Sequence, residues 1–396
     1  MRYRYGRALK LVLEGMAVVG EGGPRPASLD RSPTVSALPP LSPTSFTYEP
    51  AAGRVVFGRG ALASLPDELD RLGSRRAVLV AEPRDADVAD LDPRIGGHVD
   101  TVVQHVPAAV ADAAREQVRE LGGDVLVVVG GGSAIGLAKA VALTVDVHLL
   151  AVPTTFAGSE QTSIWGMSAD GRKRTGRDER VRARTVVYDP NRSGTMPPQV
   201  AGPSGMNAIA HAVEAMYGPG ANPVTTLLAA EAVRIMAAAL PRVVTGAGAG
   251  GGVADPAADA LYGSYLAGIV LDTAGVALHH RTCHVLGGMF GLDHGGMNAA
   301  ILGHALAYTA PAIQPVIARL AEALQVNDPA VALHQLAERI GAPTALEELG
   351  MPADGIEEAA GRVVEEAADN PRPPEHDAIA AMLRRAFAGK APEREG

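Results

Sequence analysis

Residues 124–145, DVLVVVGGGSAIGLAKAVALTV, pass from an unbroken apolar stretch through three glycines into a helical pattern. A strand that is apolar at every position needs cover on both faces, the condition of a parallel sheet sandwiched by helices. The flanking text repeats the unit. RVVFG (54–58), AVLVA (77–81) and HLLAVPTT (148–155) read as further strands, with TVVQHV (101–106) another candidate. ALASLPDELDRLG (61–73) and AVADAAREQVREL (109–121) carry helical periodicity, as does SAIGLAKAVALTV (133–145). Strands alternating with helices predict a Rossmann-like α/β domain with a parallel sheet. TSIWGMSADGRKRTGRDERVRARTVVYDP (162–190) reads as a β-hairpin with a basic turn.

Past Pro190 the pattern becomes helical, clearest in 204–218, 225–244 and 258–275, with GAGAGGG (246–252) as a flexible connection. Shorter amphipathic helices are expected at 312–324, 329–340, 353–368 and 376–388. The first 44 residues stand apart. Six prolines fall between Pro24 and Pro43, and Glu14 interrupts the apolar run that follows the basic start. They read as a disordered extension rather than a secretory signal. The expected organisation is therefore an extension (1–44), an α/β domain (45–195) and an all-α domain (196–390).

Charge and composition narrow the function. A formal net charge of −9 argues against nucleic acid as the main partner. No apolar run reaches the ~18 residues of a membrane span, so a small-molecule substrate is expected. A lone cysteine, Cys283, rules out an internal disulfide and fits a reducing cytoplasm. It sits beside His284, so it reads either as a nucleophile or as a small core residue.

The glycines at 130–136 follow a strand and open a helix. Gly130, Gly131 and Gly132 would let backbone approach a pyrophosphate, and Ser133 would serve as N-cap and phosphate ligand. A tight turn needing no ligand accounts for the same glycines. PTTFAGSE (153–160) ends the next strand, so Thr154, Thr155 and Ser159 could reach the same nucleotide. Glu82, at the end of strand 77–81, could bond a ribose hydroxyl and repel a 2′-phosphate, which favours NADH while leaving NADPH open. In the turn Gly171–Arg177, Lys173 and Arg177 are either solvated charges or the donors for a substrate carboxylate.

LHHRTCHVLGGMFGLDH (278–294) holds His279, His280, His284 and His294, four of eleven histidines. His280 and His284 share a helix face, and Gly287–Gly288 allow close packing or a break before His294. Asn207 and His211 likewise share a face. Imidazoles at this density suit proton transfer or metal ligation.

Together, GGGS at a strand–helix junction, PTTFAGSE, GMNAIAHAVEA and HxxxH with a further His ten residues on resemble the iron-containing alcohol dehydrogenase superfamily, over roughly residues 46–390. Within it GGGSAIGLAKA, TFAGSEQTSIWG, GRKRTGRD, SGMNAIAH, HHRTCHVLGG and NPRP (370–373) are most similar to the maleylacetate reductases. The resemblance implies the fold shared with dehydroquinate synthase, a cleft between the domains, homodimers, and reduction of maleylacetate to 3-oxoadipate by NADH or NADPH. It also implies nucleotide binding by the α/β domain, a substrate and catalytic role for the helical domain, and His284 near the nicotinamide. For such a reduction, protonated His284 and His280 are expected to stabilise and protonate the enolate, with His294 positioning substrate and Asn207, His211, Lys173 and Arg177 at the substrate. Metal-dependent relatives use an Asp where Asn207 stands; with Asn there no metal is expected to be required. Were one bound, His211, His280 and His294 would hold it. The chain departs from the reductases at Asp293–Asn298 and at Gly303, both expected to line the substrate end. A metal-dependent alcohol or aldehyde oxidoreductase is the alternative, followed by a lyase using NAD only transiently.

Overall fold

The computed structural model describes residue 48 and residues 53–169, 172–246 and 255–393, with backbone only at Ala169, Arg172 and Lys173. The expected extension (1–44) and most of the loop 246–252 lie outside the described residues.

Six parallel strands make one sheet: β1 (Arg54–Phe57), β2 (Ala77–Ala81), β3 (Ile95–Val99), β4 (Val125–Gly130), β5 (His148–Pro153) and a strand at Ala183–Tyr188, ordered β1, Ala183–Tyr188, β5, β4, β2, β3. Its residues alternate between two cores, as the two-residue period of a strand demands. Val78, Val80, Leu126, Val128 and Ala151 pack on one face, and Leu79, Val127, Val129, Leu150 and Val152 on the other. The first face is covered by α2 (Ala108–Leu121) and α3 (Gly132–Ala142), the second by α1 (Leu65–Arg71). Truncating a fully buried residue such as Leu126 to Ala would cost about 2–5 kcal/mol.

Three local expectations need correction. TVVQHV (101–106) is not a strand, because His105 and Val106 both have positive φ. The strand is Ile95–Val99, masked in the sequence by Gly96–Gly97; a Cβ at Gly97 would collide with Leu121 of α2. Segment 162–190 is not a single hairpin. Only β6 (Ile164–Ala169) and β7 (Arg172–Arg177) pair antiparallel, whereas β8 (Ala183–Tyr188) joins the main sheet between β1 and β5. Finally, 61–73 is a 3-10 turn (Ala61–Ser64) followed by α1.

After the short α4 (Pro190–Ser193) the rest is helical. Helices α5 (Pro198–Ala215), α6 (Pro223–Thr245) and α7 (Pro256–Ala274) pack together, with Asn222 and Asp255 capping α6 and α7. At Gly275 the chain bends by 91° into α8 (Leu278–Phe290). The helix runs through Gly287–Gly288 and ends at Gly291, whose φ of 67° closes it; of the two roles open to that glycine pair, close packing, of Gly287 on Met297, is found rather than a break. α9 (His294–Thr309), α10 (Gln314–Leu324), α11 (Pro329–Arg339), α12 (Ile356–Glu366) and α13 (His376–Phe387) complete the bundle. Among the described residues no single helix is long and apolar enough to cross a membrane.

Candidate active site

Register places the nucleotide candidates together. Gly130 of β4 pairs with Pro153 of β5, and Ala81 of β2 with Val129 of β4. Glu82, Gly130–Ser133 and Thr154–Thr155 therefore lie side by side at the C-terminal edge of three adjacent strands. Connections diverge there, β2 leading outward to β3 and β4 inward to β5, which is where open parallel sheets take ligands.

The N-cap of α3 is Gly131, with no side-chain cap, so no capping side chain competes for the first-turn N–H groups. Ser133 is not the cap; it sits in the first turn, a correction of one geometric role. A Cβ at Gly131 would come within 2.8 Å of Thr155, so only glycine leaves that cradle open. The Ser159 hydroxyl is buried without a hydrogen-bond partner. These features fit a pyrophosphate-bearing cofactor. Glu82 is paired with Arg84 at 3.1 Å on the surface, which softens its repulsion toward a 2′-phosphate.

The loop 153–161 is fastened from two sides. Lys139, fully buried on α3, donates to the carbonyls of Ser159 (2.6 Å), Thr162 (2.7 Å) and Ile164 (2.8 Å) and to the Thr162 hydroxyl (2.9 Å). Burial pulls its ammonium down to about 7, against the pull of Glu160 and Asp272. On the helical side, the Phe156 N–H donates to Ser204 Oγ of α5 at 2.9 Å. Gly158 meets Gly268 of α7 backbone to backbone; a Cβ on Gly268 would lie 2.6 Å from the Gly158 carbonyl.

Ser204 stands one turn before Asn207, and Asn207, His211 and Glu214 share that face of α5. The bend at Gly275 brings α8 against it. The rings then form a row: His211 stacks on His280 at 4.5 Å, His280 lies 6.5 Å from His284, and His284 lies 6.4 Å from His294. His294 opens α9, whose cap is Asp293, accepting from the Gly296 N–H at 2.7 Å.

Glu214 organises the row from beneath. Its carboxylate accepts from the His279 N–H at 2.6 Å and from His280 Nδ1 at 2.6 Å, with no solvent exposure. His280 therefore carries its proton on Nδ1 and aims a bare Nε2, buried and without partner, into the site. Burial, reinforced by neighbouring imidazoles, holds His211 and His280 well below the usual histidine range. His280 is thus held neutral with Nε2 as an acceptor rather than protonated as expected, whereas His284 is exposed. His279 turns away, bonding Asn298 Oδ1 at 2.8 Å. Cys283 is buried against that ring, its thiol pushed well up by burial, and reads as core rather than nucleophile.

Two expected substrate ligands fare differently. Arg177 donates to the Asp272 carbonyl (2.8 Å) and carboxylate (3.0 Å), a tie between β7 and the end of α7 rather than an open cation. The side chain of Lys173 lies outside the described residues. The departures from the reductase pattern are also structural. Gly295 and Gly296 make room for Pro203 and Leu349, Asn298 holds His279, and Gly303 faces α11 instead of the histidine row. Glu214, Lys139 and Asp272 were missed from the sequence. Glu214 was within reach, three residues past His211 on the same face; Asp272 has no local signal.

The chain matches known proteins along most of its length. The model of the iron-containing alcohol dehydrogenases matches residues 52–190, and that of the C-terminal region of the Fe-containing alcohol dehydrogenase family matches residues 202–387. The chain belongs to the iron-containing alcohol dehydrogenase family, a family of oxidoreductases. It is similar to the maleylacetate reductase of Sphingobium indicum, with 44% identity over 88% of this chain and 99% of the relative. Maleylacetate reductase 2 of Cupriavidus pinatubonensis is 46% identical over 86% of this chain and 96% of its own. The crystal structure of maleylacetate reductase from Agrobacterium tumefaciens superposes with a TM-score of 0.83 at 37% identity, covering 88% of this chain and all of that one (100%).

The family overturns the expectation that no metal is required, since iron defines it. The donors present fit a divalent ion in chemistry. Asn207 Oδ1, His211 Nδ1 and His280 Nε2 are all buried without a hydrogen-bond partner, and the two imidazoles are neutral as ligands must be. Among the described residues no three His, Cys, Asp or Glu side chains converge on one point.

Proposed function

We propose that this chain reduces maleylacetate, or a closely similar unsaturated oxo-dicarboxylate, to 3-oxoadipate with NADH or NADPH, acting as a cytoplasmic homodimer. The observation that carries the reading is the Phe156–Ser204 hydrogen bond, because it sets the nucleotide loop one turn from Asn207 and the row of imidazoles. The maleylacetate reductases similar along nearly the whole chain support the substrate. A bound nicotinamide would supply hydride, and a divalent cation, held by Asn207, His211 and His280, would polarise the oxo group. The chain's own residues do the rest. Gly130–Ser133, Thr154, Thr155, Ser159 and Glu82 hold the cofactor at the strand edge. His294 and His211 flank the substrate, and Glu214 fixes the His280 ring.

Hydride added to the alkene carbon β to the ketone pushes the π electrons onto oxygen, and His284 returns a proton to the resulting enolate. The test is absorbance loss of NADH and of NADPH with maleylacetate, set against simple alcohols and aldehydes with the oxidised cofactors. Turnover of maleylacetate with saturated product supports the reading. Turnover confined to simple alcohols or aldehydes would replace it with a metal-dependent alcohol oxidoreductase, and no turnover with either would remove both.

A further inference from the structure

A second cavity of about 320 Å³ opens in the helical region, lined by His304 and Tyr308 of α9 and by Met382, Arg384, Arg385 and Glu393. It is separate from the imidazole row. His304 stands ten residues beyond His294 on α9, about 15 Å along the axis, and faces His334 of α11 with ring centroids 5.8 Å apart.

The cavity already holds a carboxylate belonging to the chain. Glu393 sits on Arg385, 2.8 Å from its guanidinium, while Arg385 also donates to the Ala391 carbonyl at 2.7 Å. Gly303 lets that segment approach: a Cβ there would lie 3.2 Å from Pro392, the residue that precedes Glu393. Two donors or acceptors are nevertheless left over. His304 is 2% exposed and its Nε2 has no partner, and the Arg385 Nε is likewise buried and unpaired. A buried polar atom without a partner is costly to keep, so groups held this way beside a ligand-sized space call for an occupant. Arg384 is committed to Glu357, which leaves Arg385 as the principal cation of the cavity.

We infer that this cavity is a second ligand site that takes a small free carboxylate, which exchanges with Glu393 on Arg385 and reaches His304 Nε2 with its remaining polar end. Met382 and the Tyr308 ring supply the apolar wall for a short carbon chain. At neutral pH His304 is uncharged, because burial, with His334 and Arg385 nearby, brings it down to about 4. A bound anion would draw that value upward, giving a local signal independent of turnover.

The experiment titrates succinate into the full chain carrying isotope-labelled histidine, following ring resonances by NMR. The His304 signal is assigned by its loss in His304→Gln. Saturable movement of the His304 signal is expected. Glu393→Gln should tighten binding roughly tenfold by removing the internal competitor, and Arg385→Gln should weaken it at least roughly tenfold. Melting curves check that each variant is folded; both positions are at least partly exposed, so neither substitution empties a core. An unmoved His304 signal in the Glu393→Gln chain overturns the inference. So does unchanged affinity in folded Arg385→Gln. Movement confined to His284 and His294 would place the carboxylate only in the candidate active site and also defeat it.

Discussion

At the level of single residues, the site divides its imidazoles by environment. His280 is buried and committed to Glu214 through Nδ1, whereas His284 is exposed. Replacing His284 by Ala should lower kcat by roughly 10²-fold, the range for losing a general acid, with NADH affinity nearly unchanged. Stopped-flow turnover and fluorescence titration would check both halves; normal turnover in a folded variant would make the row structural. Asn207 is the other discriminating position. Its amide oxygen is a neutral donor, weaker than a carboxylate. Asn207→Asp should therefore raise the iron or zinc retained per chain after dialysis, read by elemental analysis. Equal metal content in both proteins would mean that Asn207 is no part of a cation site.

At the level of elements, the cradle at the start of α3 depends on an absent side chain. Gly131→Ala should raise the Kd for NADH at least roughly tenfold, about 1.4 kcal/mol, while shifting the melting temperature little. Its φ of −90° and ψ of −161° suit alanine, so the obstruction is Thr155, not the backbone. An unchanged Kd would place the pyrophosphate elsewhere. Features of this kind were legible in the sequence because they depend on spacing within one element: GGGS after an apolar strand, HxxxH on one helix. What escaped depends on partners far along the chain. β3 was concealed by the glycine that admits Leu121, β8 by running on from a hairpin into a different sheet. Arg177 looked available for substrate because Asp272, 95 residues away, gives no sign in the sequence that it will claim the guanidinium.

For the whole molecule, buried neutral imidazoles make acid the vulnerable direction. His211, His279, His280, His304 and His334 are all held below the usual range, mainly by burial. The unfolded chain binds their protons first. Their contribution to stability is thus full above about pH 6.5 and lost as pH falls through the folded values. For His304, whose value is about 4, the loss is on the order of 3 kcal/mol. Glu160 and Glu214, pushed up by burial, act oppositely. The measurement is therefore the difference in urea midpoint between wild type and His304→Gln, which should shrink between pH 7 and pH 5. A pH-independent difference would contradict the assignment. Finally, Gly158 and Gly268 touch backbone to backbone where the sheet-bearing half meets the helical half. Peptide groups wedged this closely resist sliding of one half against the other, so little relative movement is expected when cofactor binds. X-ray scattering in solution should then give the same radius of gyration with and without NADH; a contraction on binding would reveal a clamshell that this contact resists.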